Sequence, residues 1–163
     1  MKTVCSFCDT VINPGTSSGD PVSHGVCSVC YDRILNEFGF NVKHFLDQLD
    51  VPVFIVDSDV NILAANTLAL ELAGQPMEKI RGNLCGEALK CINAVRPKGC
   101  GKTEYCPDCG IRSAVHETFT TGKPLVSRSA ILVRRASETI EKIPFLVSTW
   151  KQGNVVLLRL QPV

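Results

Sequence analysis

The sequence predicts an α+β fold for its larger part, residues 51–163. Two β-rich runs come first, at residues 53–56 and 60–64, and short helical patterns follow them. Three further β-rich runs lie at the end of the chain. Strands, then helices, then strands is an order typical of an antiparallel sheet with helices packed against it, and not of alternating parallel units.

Length and charge limit the possible functions. A chain of 163 residues can bury one sizeable core and carry a small additional module. Its 17 basic and 16 acidic residues give a net charge of +1, too small an excess to neutralise nucleic-acid phosphates. We find no apolar run of about 18 residues and no apolar core of a secretion signal near the N-terminus, so we expect a cytoplasmic protein without a membrane span.

The nine cysteines predict metal sites. In a reducing cytoplasm, cysteines at short regular spacings are more often metal ligands than disulfides. Because nine is odd, at least one thiol falls outside any set of four.

Residues 1–36 form a first module, defined by Cys5-x-x-Cys8 and Cys27-x-x-Cys30 with 18 residues between the two pairs. Most of the intervening sequence has loop composition, with prolines, glycines and serines that cannot build a core. The spacing is that of a zinc ribbon, in which each pair supplies two thiolates to a tetrahedral ion. We expect zinc here and an unfolded module without it. The alternative is that the pairs are redox-active or simply buried.

Residues 37–50 are predicted to be an amphipathic connector helix. The helical pattern begins at Tyr31, is interrupted at Gly39, resumes with Val42, and ends before Pro52. Two roles remain open for residues 31–50: covering an edge of the second domain, or forming a homodimer.

Residues 53–73 are predicted to form a hairpin and a helix. The turn between the two strands falls at Asp57-Ser-Asp59, and Asn66 is a favourable N-cap for the helix that follows. Gly74 is placed to end that helix.

The last third of the domain is predicted to contain one helix and three strands. The helix covers Ile111 to Phe119 and stops at Gly122. The strands cover residues 125–135, 143–151 and 155–160, with a tight turn at Gln152-Gly-Asn154 between the last two.

The phrase Val-Asp-Ser-Asp-Val-Asn-Ile-Leu-Ala-Ala-Asn at 56–66, together with this element order, resembles a PAS domain. The resemblance implies a five-stranded antiparallel sheet with short helices on one face, used to sense a ligand or cofactor and to pass the change to a partner. Val60 occupies a turn position that commonly holds glycine in that family. The N-terminal module, in turn, resembles small four-cysteine modules attached to bacterial PAS and GAF signalling proteins.

Five cysteines lie within residues 85–109, and this segment resembles the cysteine-bearing PAS variants of bacterial sensory proteins. The similarity rests on three motifs: Gly-Glu-Ala-Leu-Lys-Cys at 86–91, Gly-Cys-Gly at 99–101, and Cys-Pro-Asp-Cys at 106–109. It implies a four-thiolate centre, with Cys85 left over. The implied ligands are Cys91, Cys100, Cys106 and Cys109.

The metal of this second centre is open between two candidates. Structural zinc sites are often built from two Cys-x-x-Cys pairs, whereas this segment has one pair and two isolated cysteines. Iron–sulfur clusters accept four thiolates at varied spacings and would give the domain a redox-active group. We therefore consider an iron–sulfur cluster or a second zinc ion.

The sequence as a whole favours a signal-transduction sensor that is not an enzyme. Its partner would be a histidine kinase, a response regulator or a second copy of the chain. The alternative is a thiol–disulfide redox protein that uses Cys106-x-x-Cys109, because the spacing suits a redox pair.

Overall fold

A computed structural model describes residues 1–16, 19, 21–38 and 42–163, and for residues 35–38 only the backbone. These residues divide into two compact units, an N-terminal unit, Met1–Val42, and a larger unit, Lys43–Val163. None of the helices in the described part of the chain combines the length and the apolarity needed to span a bilayer.

The N-terminal unit contains a three-stranded sheet that the sequence patterns did not predict. The strands are β1 (Lys2–Cys5), β2 (Val11–Asn13) and β3 (Val22–Gly25). Strand β1 lies in the middle, antiparallel to β2 and parallel to β3. Part of the predicted loop before β3, at residues 17, 18 and 20, lies outside the described residues.

The predicted connector region contains two helices, α1 (Ser28–Phe38) and α2 (Val42–Asp47). Helix α1 begins three residues before the predicted start at Tyr31, and residues 39–41, including the predicted break at Gly39, lie outside the described residues. Helix α2 ends at Asp47, earlier than its pattern suggested, and the Asp47 carboxylate accepts a hydrogen bond from the Thr67 amide at 2.7 Å.

The larger unit contains the predicted five-stranded antiparallel sheet, with the strand order β5-β4-β8-β7-β6. The strands have the following bounds: β4 Val53–Val56, β5 Ile62–Ala65, β6 Leu125–Ala136, β7 Thr139–Gln152 and β8 Val155–Pro162. Strand β7 begins four residues earlier than predicted, because β6 and β7 remain paired up to Ala136 and Thr139.

The helices of this unit are α3 (Thr67–Ala73), α4 (Met77–Ile80), α5 (Cys85–Ala88) and α6 (Gly110–Thr121), with a 3₁₀ turn at Cys106–Asp108. The predicted caps are confirmed. The Asn66 side chain accepts from the Ala69 amide, and Gly74 and Gly122 end α3 and α6 with positive φ values of 65° and 70°.

The core lies where α6 packs against β6, β7 and β8. Ala114, Val115 and Thr118 form the buried face of α6, and Phe145, Val147 and Leu158 are buried in the sheet. Thr118 satisfies its buried hydroxyl group by hydrogen bonding to Thr149 at 2.6 Å. Helix α6 is thereby fixed to the sheet by apolar packing and by one buried polar pair.

Candidate metal centres

The four cysteines of the N-terminal unit converge on one point. Their sulfur atoms all lie within 4.8 Å of one another, and the sulfurs of Cys8 and Cys27 are 3.7 Å apart. A tetrahedral zinc ion with bonds of about 2.3 Å to sulfur separates its ligands by about 3.8 Å. The predicted ligands Cys5, Cys8, Cys27 and Cys30 are therefore spaced to share a single ion.

Strand pairing brings these cysteines together. Cys5 ends β1 and Cys8 lies in the turn that follows. Because β3 runs parallel to β1, with Cys5 opposite Gly25, the chain beyond β3 delivers Cys27 to the same end of the sheet. Cys30 then lies in the first turn of α1.

Backbone amides point at the sulfur of Cys5. The amides of Cys27 and Phe7 donate to it at 3.4 and 3.5 Å, and these hydrogen bonds lower the pKa of the Cys5 thiol to about 6. The hydroxyl group of Thr10 lowers the pKa of Cys8 in the same way. Two members of the tetrad are thus predisposed to the thiolate form that binds metal.

Cys30 behaves in the opposite way. The hydrogen bond with Cys8 and, to a smaller extent, burial raise the pKa of the Cys30 thiol to about 12. Four thiolates this close repel one another, so in the absence of a cation some of them must keep a proton. A bound metal ion would displace that proton.

The larger unit encloses a cavity of about 540 Å³ whose lining includes all five cysteines of the segment 85–109. Cys85 opens α5, and Cys91 follows α5 and pairs with Arg134 of β6. Cys106 lies in the 3₁₀ turn, and Cys109 is the N-cap residue of α6. The fifth, Cys100, lies in the loop between these elements. The fold therefore gathers the four predicted ligands around one space.

These five sulfurs do not meet at a point. Among all residues that the structure describes, Cys5, Cys8, Cys27 and Cys30 are the set that lies close enough to hold one ion. The cysteines of the larger unit line the cavity, but no three of their sulfurs lie that close together among the described residues. The assignment of Cys91, Cys100, Cys106 and Cys109 as ligands stays a prediction.

Cys85, six residues before Cys91, lines the same cavity. Helix α5 ends at Ala88, so the two cysteines do not share a continuous helix. Cys85 is fully buried, and burial, with the nearby Cys100 and Cys109 thiols, raises its pKa strongly. It is the cysteine of this group least able to ionise.

The surroundings of Cys106, unlike those of Cys85, favour the thiolate form. Burial opposes its ionisation, but the hydroxyl group of Thr103 at 3.0 Å and the amide of Gly101 at 3.2 Å form hydrogen bonds to its sulfur. These bonds outweigh burial and lower the pKa of the Cys106 thiol. Cys106 is therefore prepared to act as a thiolate.

Cys100 lies between α5 and the side chain of Arg112. Burial raises the pKa of the Cys100 thiol, while Arg112 and the Gly86 amide oppose this by hydrogen bonding to the sulfur. Arg112 also covers Gly101 closely, since a Cβ atom on Gly101 would lie 2.6 Å from the guanidinium. Arg112 supplies a positive charge at the cavity that also favours ionisation of Cys106.

Sequence reasoning did not identify Thr103 and Arg112. Each lies three residues from a cysteine that was singled out, Thr103 before Cys106 and Arg112 after Cys109. For Thr103 the short spacing within one turn was the available signal. Arg112 instead contacts Cys100, twelve residues earlier, and no local spacing indicated that contact.

The turn at Val60 has a backbone conformation that favours glycine. Val60 has a φ of 69°, in the left-handed region that β-branched residues avoid. It is held there because its side chain is buried, its amide donates to the Asp57 carbonyl and its carbonyl accepts from the Cys85 amide. Val60 also lines the cavity, so the first hairpin is tied directly to the cysteine segment.

The comparisons with known proteins agree with this architecture. A model of the PAS domain family matches residues 42–105. The LOV protein of Rhodobacter sphaeroides superposes with a TM-score of 0.51 at 16% identity, over 75% of this chain and 65% of that one. The larger unit has a PAS fold. At 65% coverage, this chain spans just under two thirds of the LOV protein's length.

Two other solved structures are similar at lower scores. A domain of a sensory box sensor histidine kinase/response regulator from Geobacter sulfurreducens aligns at 14% identity, over 77% of this chain and 91% of that one, with a TM-score of 0.49. The PAS domain of nitrogen regulation protein NR(II) from Vibrio parahaemolyticus aligns at 13% identity over 76% and 100%, with a TM-score of 0.47. No curated protein gave a significant match.

Proposed function

We propose that this chain is a cytoplasmic signal-transduction module in which the PAS domain carries a four-thiolate metal centre. Cys91, Cys100, Cys106 and Cys109 would hold that centre. The observation that carries the proposal is the lining of one cavity by cysteines from four separate parts of the segment 85–109. Ordinary packing rarely gathers so many thiols, and cavities in PAS-like folds are suited to ligands.

The N-terminal unit would be a structural zinc module. Its tetrad has the dimensions of a single tetrahedral ion, and its short strands with few buried side chains need that ion to stay folded. The proposal assigns no catalytic role to any residue of either unit.

Two connections would carry a change at the PAS centre to the rest of the domain. Cys109 is the N-cap of α6, which packs against three strands of the sheet. Cys91 pairs with Arg134 in β6. A ligand or redox change that moved these cysteines would therefore shift α6 and the edge of the sheet together. A protein such as a histidine kinase or a response regulator would receive the signal there.

The experiment that tests the proposal counts metal in four proteins purified without oxygen: the natural chain, Cys91→Ser, Cys109→Ser and Cys85→Ser. We expect the natural chain to hold metal at two centres. Cys91→Ser and Cys109→Ser should lose the second centre and keep the N-terminal zinc. Cys85→Ser is the matched control, since it changes a thiol of the same cavity that is not an assigned ligand, and it should keep both.

Two results would contradict the proposal. If Cys85→Ser empties the second centre and Cys91→Ser does not, the ligand assignment is wrong. If the larger unit holds no metal and instead contains a rapidly reducible disulfide between Cys106 and Cys109, the thiol–disulfide alternative is correct.

A further inference from the structure

The geometry points to a polynuclear iron–sulfur cluster, and not a single zinc ion, as the group that the PAS cavity takes. This inference rests on the proposed function, because it names the cofactor of the same site. The chain contains its own reference for a single-ion site in the N-terminal tetrad. There, sulfurs come within 3.7 Å of each other, the distance that one tetrahedral ion requires.

The cysteines of the PAS cavity are arranged differently. Within the described residues no three of them approach one another as closely as the N-terminal set does. They line a cavity of about 540 Å³, which has room for a group larger than one ion. A cluster places iron and sulfide between the cysteine sulfurs, so its ligands stand further apart than those of one ion. Sulfur atoms distributed around the cavity therefore fit the ligands of a cluster better than the ligands of one ion.

Two of the sulfurs are held by contacts with the wall of the cavity. The Cys100 sulfur lies against α5, where the Gly86 amide bonds it and where a Cβ atom on Gly86 would lie 2.5 Å from it. The Cys106 sulfur is held by Thr103 and by the Gly101 amide. Both sulfurs are therefore fixed at the wall of the cavity.

The cavity wall also suits a sulfide-rich group. Apolar side chains, among them Val60, Ile111 and Leu132, form part of the lining. Backbone amides, a hydroxyl group and the Arg112 guanidinium face the cysteine sulfurs. Hydrogen bonds to sulfur and limited solvent access are the means by which proteins stabilise iron–sulfur clusters and set their potentials.

The test is a measurement of zinc, iron and acid-labile sulfide in the full chain purified without oxygen, combined with its absorption spectrum. We expect about one zinc ion per chain. Iron and sulfide should be equal, at about four of each per chain. Dithionite should bleach the visible absorption, and Cys91→Ser should lose iron and sulfide while keeping zinc.

Reconstitution makes the test decisive if the purified chain lacks iron. The chain is incubated without oxygen with ferrous iron and sulfide, and separately with zinc. The inference is supported if the natural chain takes up equal amounts of iron and sulfide and Cys91→Ser takes up neither. About two zinc ions per chain and no iron in either experiment would overturn it but leave the proposed metal centre standing. If the cavity takes up neither iron nor zinc, the proposed function fails together with the inference.

Discussion

The sulfur of Cys100 occupies the space that a side chain at Gly86 would fill. A Cβ atom on Gly86 would lie 2.5 Å from the Cys100 Sγ atom and 3.5 Å from the Cys91 Cβ atom. The Cys91 distance is an ordinary van der Waals contact, so it is the position of the predicted ligand Cys100 that depends on the absence of a side chain at Gly86. The contact joins the start of α5 to the Gly-Cys-Gly loop, and it sets how closely that loop approaches the domain.

Gly86→Ala should therefore displace Cys100 and weaken metal binding in the PAS cavity. Outer contacts of this kind typically change metal affinity about 10- to 100-fold. Metal retention during titration with a chelator measures the effect. Gly122→Asn is the control, because Gly122 has open space around it and asparagine tolerates its positive φ. Equal retention in Gly86→Ala and the natural chain would show that the contact does not position Cys100.

Arg112→Gln should lower the reduction potential of the proposed cluster. The guanidinium faces Cys100 and favours negative charge on it, so its removal makes an additional electron less favourable. Arg112→Lys keeps the charge and should retain most of the natural potential. A redox titration followed by visible absorption compares the three proteins. The prediction is wrong if the glutamine and lysine variants have the same potential.

Cys27→Ser should abolish zinc binding by the N-terminal unit and unfold it. A four-cysteine module of this size obtains on the order of 10 kcal/mol of folding free energy from its metal. Zinc analysis and the amide chemical shifts of residues in β1 and β3 measure the two losses. Cys85→Ser serves as a control for removal of a thiol elsewhere. Persistence of native shifts in β1 and β3 after loss of zinc would contradict this prediction.

Asn66→Ala should destabilise the larger unit by about 3 kcal/mol. The side chain is fully buried and makes four hydrogen bonds: it accepts from the amides of Val53 and Ala69, and it donates to the carbonyls of Leu46 and Val51. Its loss leaves all four groups without that partner. Denaturant unfolding of the full chain gives the free energy.

Asn83→Ala is the matched control for Asn66→Ala, since the exposed Asn83 side chain donates one hydrogen bond, to the Lys79 carbonyl. It should change the free energy of unfolding by about 0.5 kcal/mol or less. A loss of similar size in both variants would mean that Asn66 is no more than an ordinary polar residue.

Asp47→Asn should flatten the acid dependence of stability. The hydrogen bond from Lys43, with that from the Thr67 amide, lowers the pKa of the Asp47 carboxyl group to about 2 in the folded chain. An unfolded aspartate has a pKa of about 3.9. Because the folded pKa is the lower one, the stabilisation is complete above about pH 4 and is lost as the pH falls towards about 2.

Free energies of unfolding measured from pH 5 to pH 2 provide the check. The natural chain should lose more stability over the lower part of this range than Asp47→Asn does, and the difference between the two proteins should shrink as the pH falls. Parallel curves would show that Asp47 ionisation does not contribute.

The sequence by itself determined the elements whose signals are local. Asn66 begins α3, Gly74 and Gly122 end α3 and α6, and the spacing of the N-terminal cysteine pairs was enough to predict a tetrad. Each of these features depends on residues close together in the chain or on a conformation that few residue types adopt. Runs rich in strand-forming residues, bounded by turn signals, also predicted the five strands of the larger unit.

Tertiary structure decided the rest. Strands β1 to β3 have three or four residues each and bury one side chain, that of Cys5, so they lack an apolar pattern, and pairing across the loop forms them. Only folding placed Cys85 in the same cavity as the other four cysteines and turned Arg112 towards Cys100. The sequence shows which cysteines are available as ligands. The distances between their sulfur atoms depend on how α5, α6 and the sheet pack. Those distances separate a site for one ion from a site for a cluster.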